Sequence, residues 1–242
     1  GSFKLHMKYF NYATGLTMTN NNFSKLFGQP VRDSKKDLLT QFHMDIASSI
    51  QKVTENIILK ITKSLRNEFK IPNLCLAGGV ALNCVANGKI FKEKIFDNIW
   101  IQPASGDAGG SLGAALAYWY KECKGNRILE ENDNMAASLL GPEYSDDQII
   151  SKLDEMGASF KKYDEDEVIN LTAKYLSEGK TIGWFQGKSE SGNRALGNRS
   201  ILADPRNPDI KDIINHTIKM REDFRPFAPV SYTHLTLPTT LT

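Results

Sequence analysis

The chain has 242 residues, 40% of them hydrophobic and 24% charged, with a formal net charge of +2. That length allows one large domain or two smaller ones, with the balance of a soluble globular protein. A near-neutral total excludes a globally basic nucleic-acid coat, and no run is apolar enough to cross a bilayer. Cys75, Cys84 and Cys123 are odd in number and lack metal-ligand spacing, so a reduced cytoplasmic interior is expected; no signal peptide is visible. The four histidines are scattered.

From Gly1 to Leu16 the sequence reads as a strand already under way; the alternative for Gly1-Ser2 is a cloning scar. Leu38, Phe42, Ile46, Ile50, Val53, Ile57, Ile61 and Leu65 recur at steps of three and four. They predict an amphipathic helix over Asp37–Phe69, capped by Ser34 or Asp37, with His43 an ordinary surface or packing residue. Pro72 stops it. Asn73–Ala77 then reads as a buried strand, Gly78-Gly79 as a turn, and Val80–Ile90 as a helix with a small-residue face. Asn98–Gln102 is a second strand, running into PASGDAGGSLGAAL and a helix that continues through Ala114 to Cys123. Strand, glycine turn and helix twice in succession predict a parallel or mixed α/β sheet with two adjacent loops at its carboxyl edge.

The stretch from Lys124 to Asp147 has the weakest apolar period and is expected to connect two domains, with the linker at 131–145. Beyond it, a helix over Asp146–Met156, a strand near Ser159–Lys162 and a helix over Asp164–Glu178 are predicted. A strand over Thr181–Gln186, another over Ile201–Ala203 and a helix from Asn207-Pro208 to about Lys219 follow.

Three segments carry chemistry. GKSESGNRALGNRSILADPR places Lys188, Arg194, Arg199 and Arg206 among glycines, and KMREDFRPFAP adds Lys219, Arg221 and Arg225. Guanidinium forks grip phosphate oxygens, and glycine lets them approach the backbone. Two such clusters flanking a short helix can close around one small phosphorylated anion; the bland alternative is a solvated basic surface. Interleaved Glu190, Asp204, Glu222 and Asp223 argue against a nucleic-acid stripe. In LAGGVALN, Gly78 and Gly79 open the backbone at a helix start and Asn83 offers a polar side chain, although tight packing explains a double glycine equally well. Asp107, beside Gly106, can cap a helix or ligate a metal; by itself capping is favoured.

The segments LFGQPVR, DIASSIQKVTE, NLCLAGGVALNCVANGKI, QPASGDAGGSLGAAL, GNRALGNRSILADPR and KMREDFRPFAP occur in this order. Together they resemble the ATP-dependent O-carbamoyltransferases of the nodulation-factor and antibiotic-tailoring type, across nearly all of 1–229. The resemblance implies part of an actin-like, sugar-kinase-type ATPase domain over 1–130. The start of a small α/β carbamoyl-adenylate-forming domain over 146–229 would follow it. It further implies ATP, a ferrous ion, Fe(2+), carbamoyl phosphate and a hydroxyl-bearing acceptor as ligands; the near-neutral charge and the lack of an apolar span argue for no nucleic acid and no membrane as partners. On this carry-over Arg194, Lys219 and Arg225 act on the phosphates, with Arg199 and Arg221 beside them. Gly78, Gly79, Asn83 and Gly106 lie at the nucleotide, and Asp107 becomes a metal ligand, which reverses the preference for capping.

The chain departs from the family pattern at Ser191, where an apolar residue is usual, and at Asn193, where proline is usual. The family's early histidines and the remainder of the second domain are missing, so an internal fragment without full competence is expected. VSYTHLTLPTTLT, from Val230, resembles an in-frame translation of a sequencing-library adapter and is set outside the fold. The rival readings are a threonylcarbamoyl-type tRNA-modifying enzyme, an actin-like kinase or ATPase, and a non-catalytic scaffold.

Overall fold

A computed structural model describes residues 2–129, 134–192 and 194–227. The chain divides into two compact units, Gly1–Gly106 and Asp107–Thr242.

The first unit opens differently from the strand expected there. Met7–Tyr9 is a 3-10 turn, and extended pairing is limited to a single bridge between Phe10 and Thr19. A short helix, α1 (Asn21–Phe27), follows under an Asn20 cap and stops at Gly28, whose φ of 68° is left-handed. The long helix α2 (Gln41–Phe69) starts later than its apolar period suggests. Thr40, not Ser34 or Asp37, is its cap: the Thr40 N–H donates to His43 Nδ1 at 3.1 Å. His43 is therefore part of a capping box, with histidine in the place usually held by Glu or Gln.

Strand β1 (Asn73–Leu76) pairs in parallel with β2 (Asn98–Ile101), in the register Asn73 to Asn98 through Leu76 to Ile101. The crossover is broken in two. Gly79–Leu82 is a 3-10 turn, and helix α3 (Cys84–Lys92) begins only after Asn83, where one continuous helix was expected. Asn83 (φ −77°, ψ 89°) leaves the helical region and caps the Ala86 N–H, so the polar side chain ends one turn and starts the next. Leu74, Ile90 and Phe96 form the buried core, flanked by Ile58 and Leu59 of α2 and by Leu76, Ile95 and Ile99. Each such side chain contributes about 1.5–3 kcal/mol through burial. The core thus sits where the β1–α3–β2 crossover meets the long helix.

In the second unit a 3-10 turn (Asp107–Gly109) leads into α4 (Gly110–Ala117), which widens into a π-turn over Tyr118–Glu122. Helix α5 (Asp146–Glu155) has a Ser145–Gln148 capping box, and α6 (Glu165–Ser177) an Asp164–Glu167 box. The strand expected near Ser159–Lys162 is absent: those residues are irregular, and no described strand lies alongside to complete a ladder. Strand β3 (Ile182–Phe185) pairs antiparallel with β4 (Arg199–Leu202), Phe185 opposite Arg199. The last helix, α7 (Ile210–Ile214), runs into a π-turn over Asn215–Lys219. It starts after Pro208 because Asn207 Oδ1 accepts the Asp209 N–H at 2.9 Å, a local turn that competes with helix. The described residues form a mixed α/β structure with two small sheets, one parallel and one antiparallel. Among the described residues no helix is long and apolar enough to cross a membrane.

Candidate functional site

The parallel pairing of β1 with β2 puts the turns after both strands at one edge. They are bonded directly: the Gly78 N–H donates to the Ser105 carbonyl at 2.7 Å. Gly78 has φ +96°, a conformation L side chains rarely adopt. A Cβ placed at Gly78, Gly79 or Gly106 would meet nothing within 4 Å, so the backbone is open on that side. Ser105 is 6% exposed, and its Oγ has no partner among the described residues. A buried hydroxyl left unpaired costs about 1–3 kcal/mol, which an incoming polar ligand can relieve.

Asn83 is held by a side-chain network that sequence inspection did not find. Its Oδ1 accepts from the Ala86 N–H (3.1 Å) and from Gln51 Nε2 (3.2 Å), and its Nδ2 donates to Gln51 Oε1 at 2.8 Å. Gln51 Nε2 also donates to Glu55 Oε1 at 3.0 Å. Glu55 is 4% exposed and paired with Lys89 of α3. The hydrogen bond from Lys89, reinforced by that from Gln51, holds the Glu55 carboxyl below its ordinary range, against the opposing effect of burial. The apolar period gave no signal for it: Glu55 lies opposite the stripe of Ile46, Ile50, Val53 and Ile57, on the face where Ile58 and Leu59 meet the core while Ile50 and Val53 stay exposed.

Asp107 is exposed and opens the 3-10 turn before α4. The cap position of α4 is Gly109, with no side-chain cap bond, so the local reading of Asp107 as a capping residue does not hold. Among the described residues there is no group of three His, Cys, Asp or Glu side chains that could hold a metal. The described residues do not make a site for a ferrous ion; a single carboxylate is too few ligands.

The arginine turn joins β3 to β4, and its cations are in different situations. Arg199 Nη1 donates to the carbonyls of Gln186 (2.7 Å) and Asn198 (2.8 Å). Its Nη2 donates to those of Gly187 (3.0 Å) and Pro142 (3.3 Å). Its guanidinium lies 3.5 Å from the centroid of the Phe185 ring. All four Nη hydrogens are thus engaged within the protein. Arg206 is engaged as well, chelating Asp204 at 2.6–2.9 Å. The Arg194 side chain is exposed and makes no hydrogen bond or ion pair among the described residues. Glu190 closes the turn: its Oε1 accepts the N–H groups of Leu196 and Asn198, each at 2.7 Å. Burial opposes its ionisation, but these backbone donors outweigh it and hold the carboxyl below its ordinary value. Asn193 lies outside the described residues, and so does Val230–Thr242.

The second half of the expected linker is bonded to this turn. Gly141 N–H donates to Ser189 O (2.9 Å), Ser189 N–H to Pro142 O (3.0 Å), and Ser191 N–H to Ser138 O (2.6 Å). The basic loop after α7 has its own hub. Asn215, fully buried, donates to Arg225 O at 2.9 Å and accepts from Arg221 Nε at 2.7 Å. The Arg221 guanidinium lies 4.7 Å from the Phe227 ring centroid, while Lys219 is exposed at the end of its π-turn. Asn215 therefore brings Arg221 and Arg225 together; no hydrogen bond among the described residues joins them to the Arg194 turn. Two open grooves of about 340 Å³ line Lys4–Lys8 and the Lys8, Tyr9, Asn22 and Lys25 surface, and include none of these candidate residues.

Comparison with known proteins bears on both halves. The family model described as carbamoyltransferase N-terminus matches residues 1–116, and the one described as carbamoyltransferase C-terminus matches residues 173–236. An uncharacterized protein of Synechocystis sp. is 51% identical over 231 residues, covering 95% of this chain and 37% of that protein. Nodulation protein NolO of Bradyrhizobium diazoefficiens is 40% identical over 191 residues, covering 78% of this chain and 34% of its own length. Nodulation protein NolNO of Sinorhizobium fredii is 40% identical over 193 residues, covering 78% of this chain and 28% of its own length. The chain spans about a third of the length of these curated relatives. With both family halves matched in order along one sequence, the chain belongs to the carbamoyltransferase family.

Proposed function

We propose that this chain serves ATP-dependent transfer of a carbamoyl group from carbamoyl phosphate, through carbamoyl-adenylate, to a hydroxyl of a small-molecule or sugar acceptor. The observation that carries the reading is the presence of both carbamoyltransferase halves, each holding one of the two chemical turns: Gly78–Asn83 in the first and Arg194 in the second. The first unit is then part of an actin-like ATPase-type domain. Support comes from its parallel crossover, with two glycine turns bonded at one edge.

ATP supplies the adenylate on which the carbamoyl group is activated. The open backbone at Gly78, Gly79 and Gly106 and the unpaired Ser105 Oγ fit such a ligand. Arg194 presents an uncommitted fork, with Lys219 and Arg225 as further phosphate contacts. Arg199 and Arg221 act behind them as supports, since their donors already serve the protein. No step is assigned to a ferrous ion, because Asp107 alone does not hold one. Carbamoyl phosphate loses inorganic phosphate to water, and a carbamate oxygen takes the α-phosphorus of ATP as pyrophosphate leaves. The acceptor hydroxyl then passes its proton to solvent as its oxygen takes the carbamoyl carbon and AMP leaves.

The test is carbamoyl-phosphate-dependent release of pyrophosphate from ATP, measured in this chain and in a relative of full family length. Arg194→Ala is expected to lower it at least tenfold, on the order of one charged hydrogen bond. Pyrophosphate release that ignores carbamoyl phosphate, or an Arg194→Ala rate equal to the unaltered one, would remove the carbamoyl assignment.

A further inference from the structure

The glycine turn carries a preset polarity. Lys89 pairs with Glu55, and the Glu55 carboxylate faces the Gln51 amide. An ionised carboxylate only accepts, so it selects the Gln51 orientation in which Nε2 points toward Glu55. Gln51 Nε2 gives one hydrogen to Glu55 Oε1 and the other to Asn83 Oδ1, while Gln51 Oε1 accepts from Asn83 Nδ2. The Asn83 amide is fixed in its turn. Its Oδ1 is saturated by Gln51 and by the Ala86 N–H, and one Nδ2 hydrogen is left without a partner among the described residues.

We infer that Gln51, oriented by Glu55, is a positioning residue that holds Asn83 as a donor-only contact at the glycine turn. The group Asn83 meets is then an acceptor oxygen of the nucleotide, on a phosphate or a ribose, and never a donor. The inference rests on the nucleotide reading above for the identity of the ligand, but not for the orientation of Asn83. It also gives a reason for a buried glutamate in α2, paired with a partly exposed lysine of α3. A carboxylate there costs desolvation, and an apolar side chain of similar volume would serve packing as well.

Two variants separate positioning from packing. Gln51→Leu removes the amide and keeps the bulk. Gln51→Glu keeps size and acceptor but removes the donor that Asn83 Oδ1 requires. The first readout needs no ligand: hydrogen exchange at the Ala86 amide, which the Asn83 Oδ1 caps. Both variants are expected to speed that exchange about tenfold, with the amides of α2 at Ile58 and Leu59 unchanged. The second readout is the affinity of the non-hydrolysable analogue adenosine 5′-(β,γ-imido)triphosphate, by calorimetry. Gln51→Leu is expected to weaken it about tenfold, and Gln51→Leu combined with Asn83→Ala no further than Asn83→Ala alone. Normal Ala86 exchange in both variants, or losses that multiply in the double variant, would overturn the inference. If the unaltered chain binds none of the analogue, the nucleotide reading and the ligand half of the inference both fall. Faster Ala86 exchange in the variants would then still establish that Gln51 positions Asn83.

Discussion

The two chemical turns are built by opposite means. The Gly78–Asn83 turn leans on a packed interior: Asn83 is oriented by side chains of α2, beside a core of Leu74, Ile90 and Phe96. Among the described residues the Arg194 turn has no comparable core. It is closed by charged side chains bonded to its own backbone, Glu190 to two N–H groups and Arg199 to four carbonyls. In the first, side chains hold a side chain. In the second, side chains hold the chain path, and Arg194 is the cation left without a partner among the described residues. The difference teaches that a row of arginines in one turn need not act alike, because carbonyls that find no ladder partner take a guanidinium instead.

The largest effect that would break this contrast is expected at Arg199. Arg199→Ala removes four hydrogen bonds to carbonyls and the stacking on Phe185, and is expected to cost about 2–4 kcal/mol in urea unfolding. Arg199→Lys should restore little, since lysine has no fork. A phosphate-binding defect without loss of stability would instead make Arg199 a ligand and the two turns more alike.

Next comes Asn215, the buried hub of the basic loop. Asn215→Ala leaves Arg221 Nε and the Arg225 carbonyl without partners and is expected to cost about 1–3 kcal/mol. Crystallography or exchange at 221–227 should show the loop loosened while the β3–β4 pair stays intact.

Acid gives a smaller and shared effect. Glu55, Glu190 and Asp204 all have carboxyls held below their ordinary values. A carboxyl lowered in the folded state stabilises above its unfolded value, near 4, and that contribution is lost as pH falls through the lowered folded value. Unfolding free energy should therefore be level with respect to these groups from neutrality to about pH 5 and fall below it. In Glu190→Gln the fall should be shallower. An equally steep fall would show that Glu190 does not hold the turn as an ion.

The smallest change in stability is expected at Arg194. Arg194→Ala should leave the melting temperature within about 1 °C, as an exposed side chain without partners contributes little. Affinity for inorganic phosphate should nevertheless drop about tenfold. A melting temperature lowered by many degrees would mean that Arg194, like Arg199, is part of the scaffold.

By itself the sequence determined the local periods and the order of the chemistry. The apolar steps of three and four between Leu38 and Leu65 placed α2, and the strand–glycine–helix repeat foretold the parallel pairing of β1 with β2 and the adjacency of their turns. The motif order was enough to reveal the family. Such features depend on neighbours in sequence, where a 3.6-residue period or a glycine carries its own meaning. Tertiary structure alone decided the rest. Whether Thr40 or Ser34 caps α2 turned on which side chain reached a free N–H, and His43 completed that cap. The strand suggested over Ser159–Lys162 failed for want of a neighbour to complete its hydrogen bonds. Arg199 and Arg194 are equivalent on the page of the sequence. They differ in the fold because Phe185 and four carbonyls surround one and none of these meets the other. Gln51 and Asn83 stand 32 residues apart, and their pairing exists only once α2 lies against α3. Hydrogen-bond satisfaction is a property of what surrounds a group in space, and no periodicity along the chain encodes it.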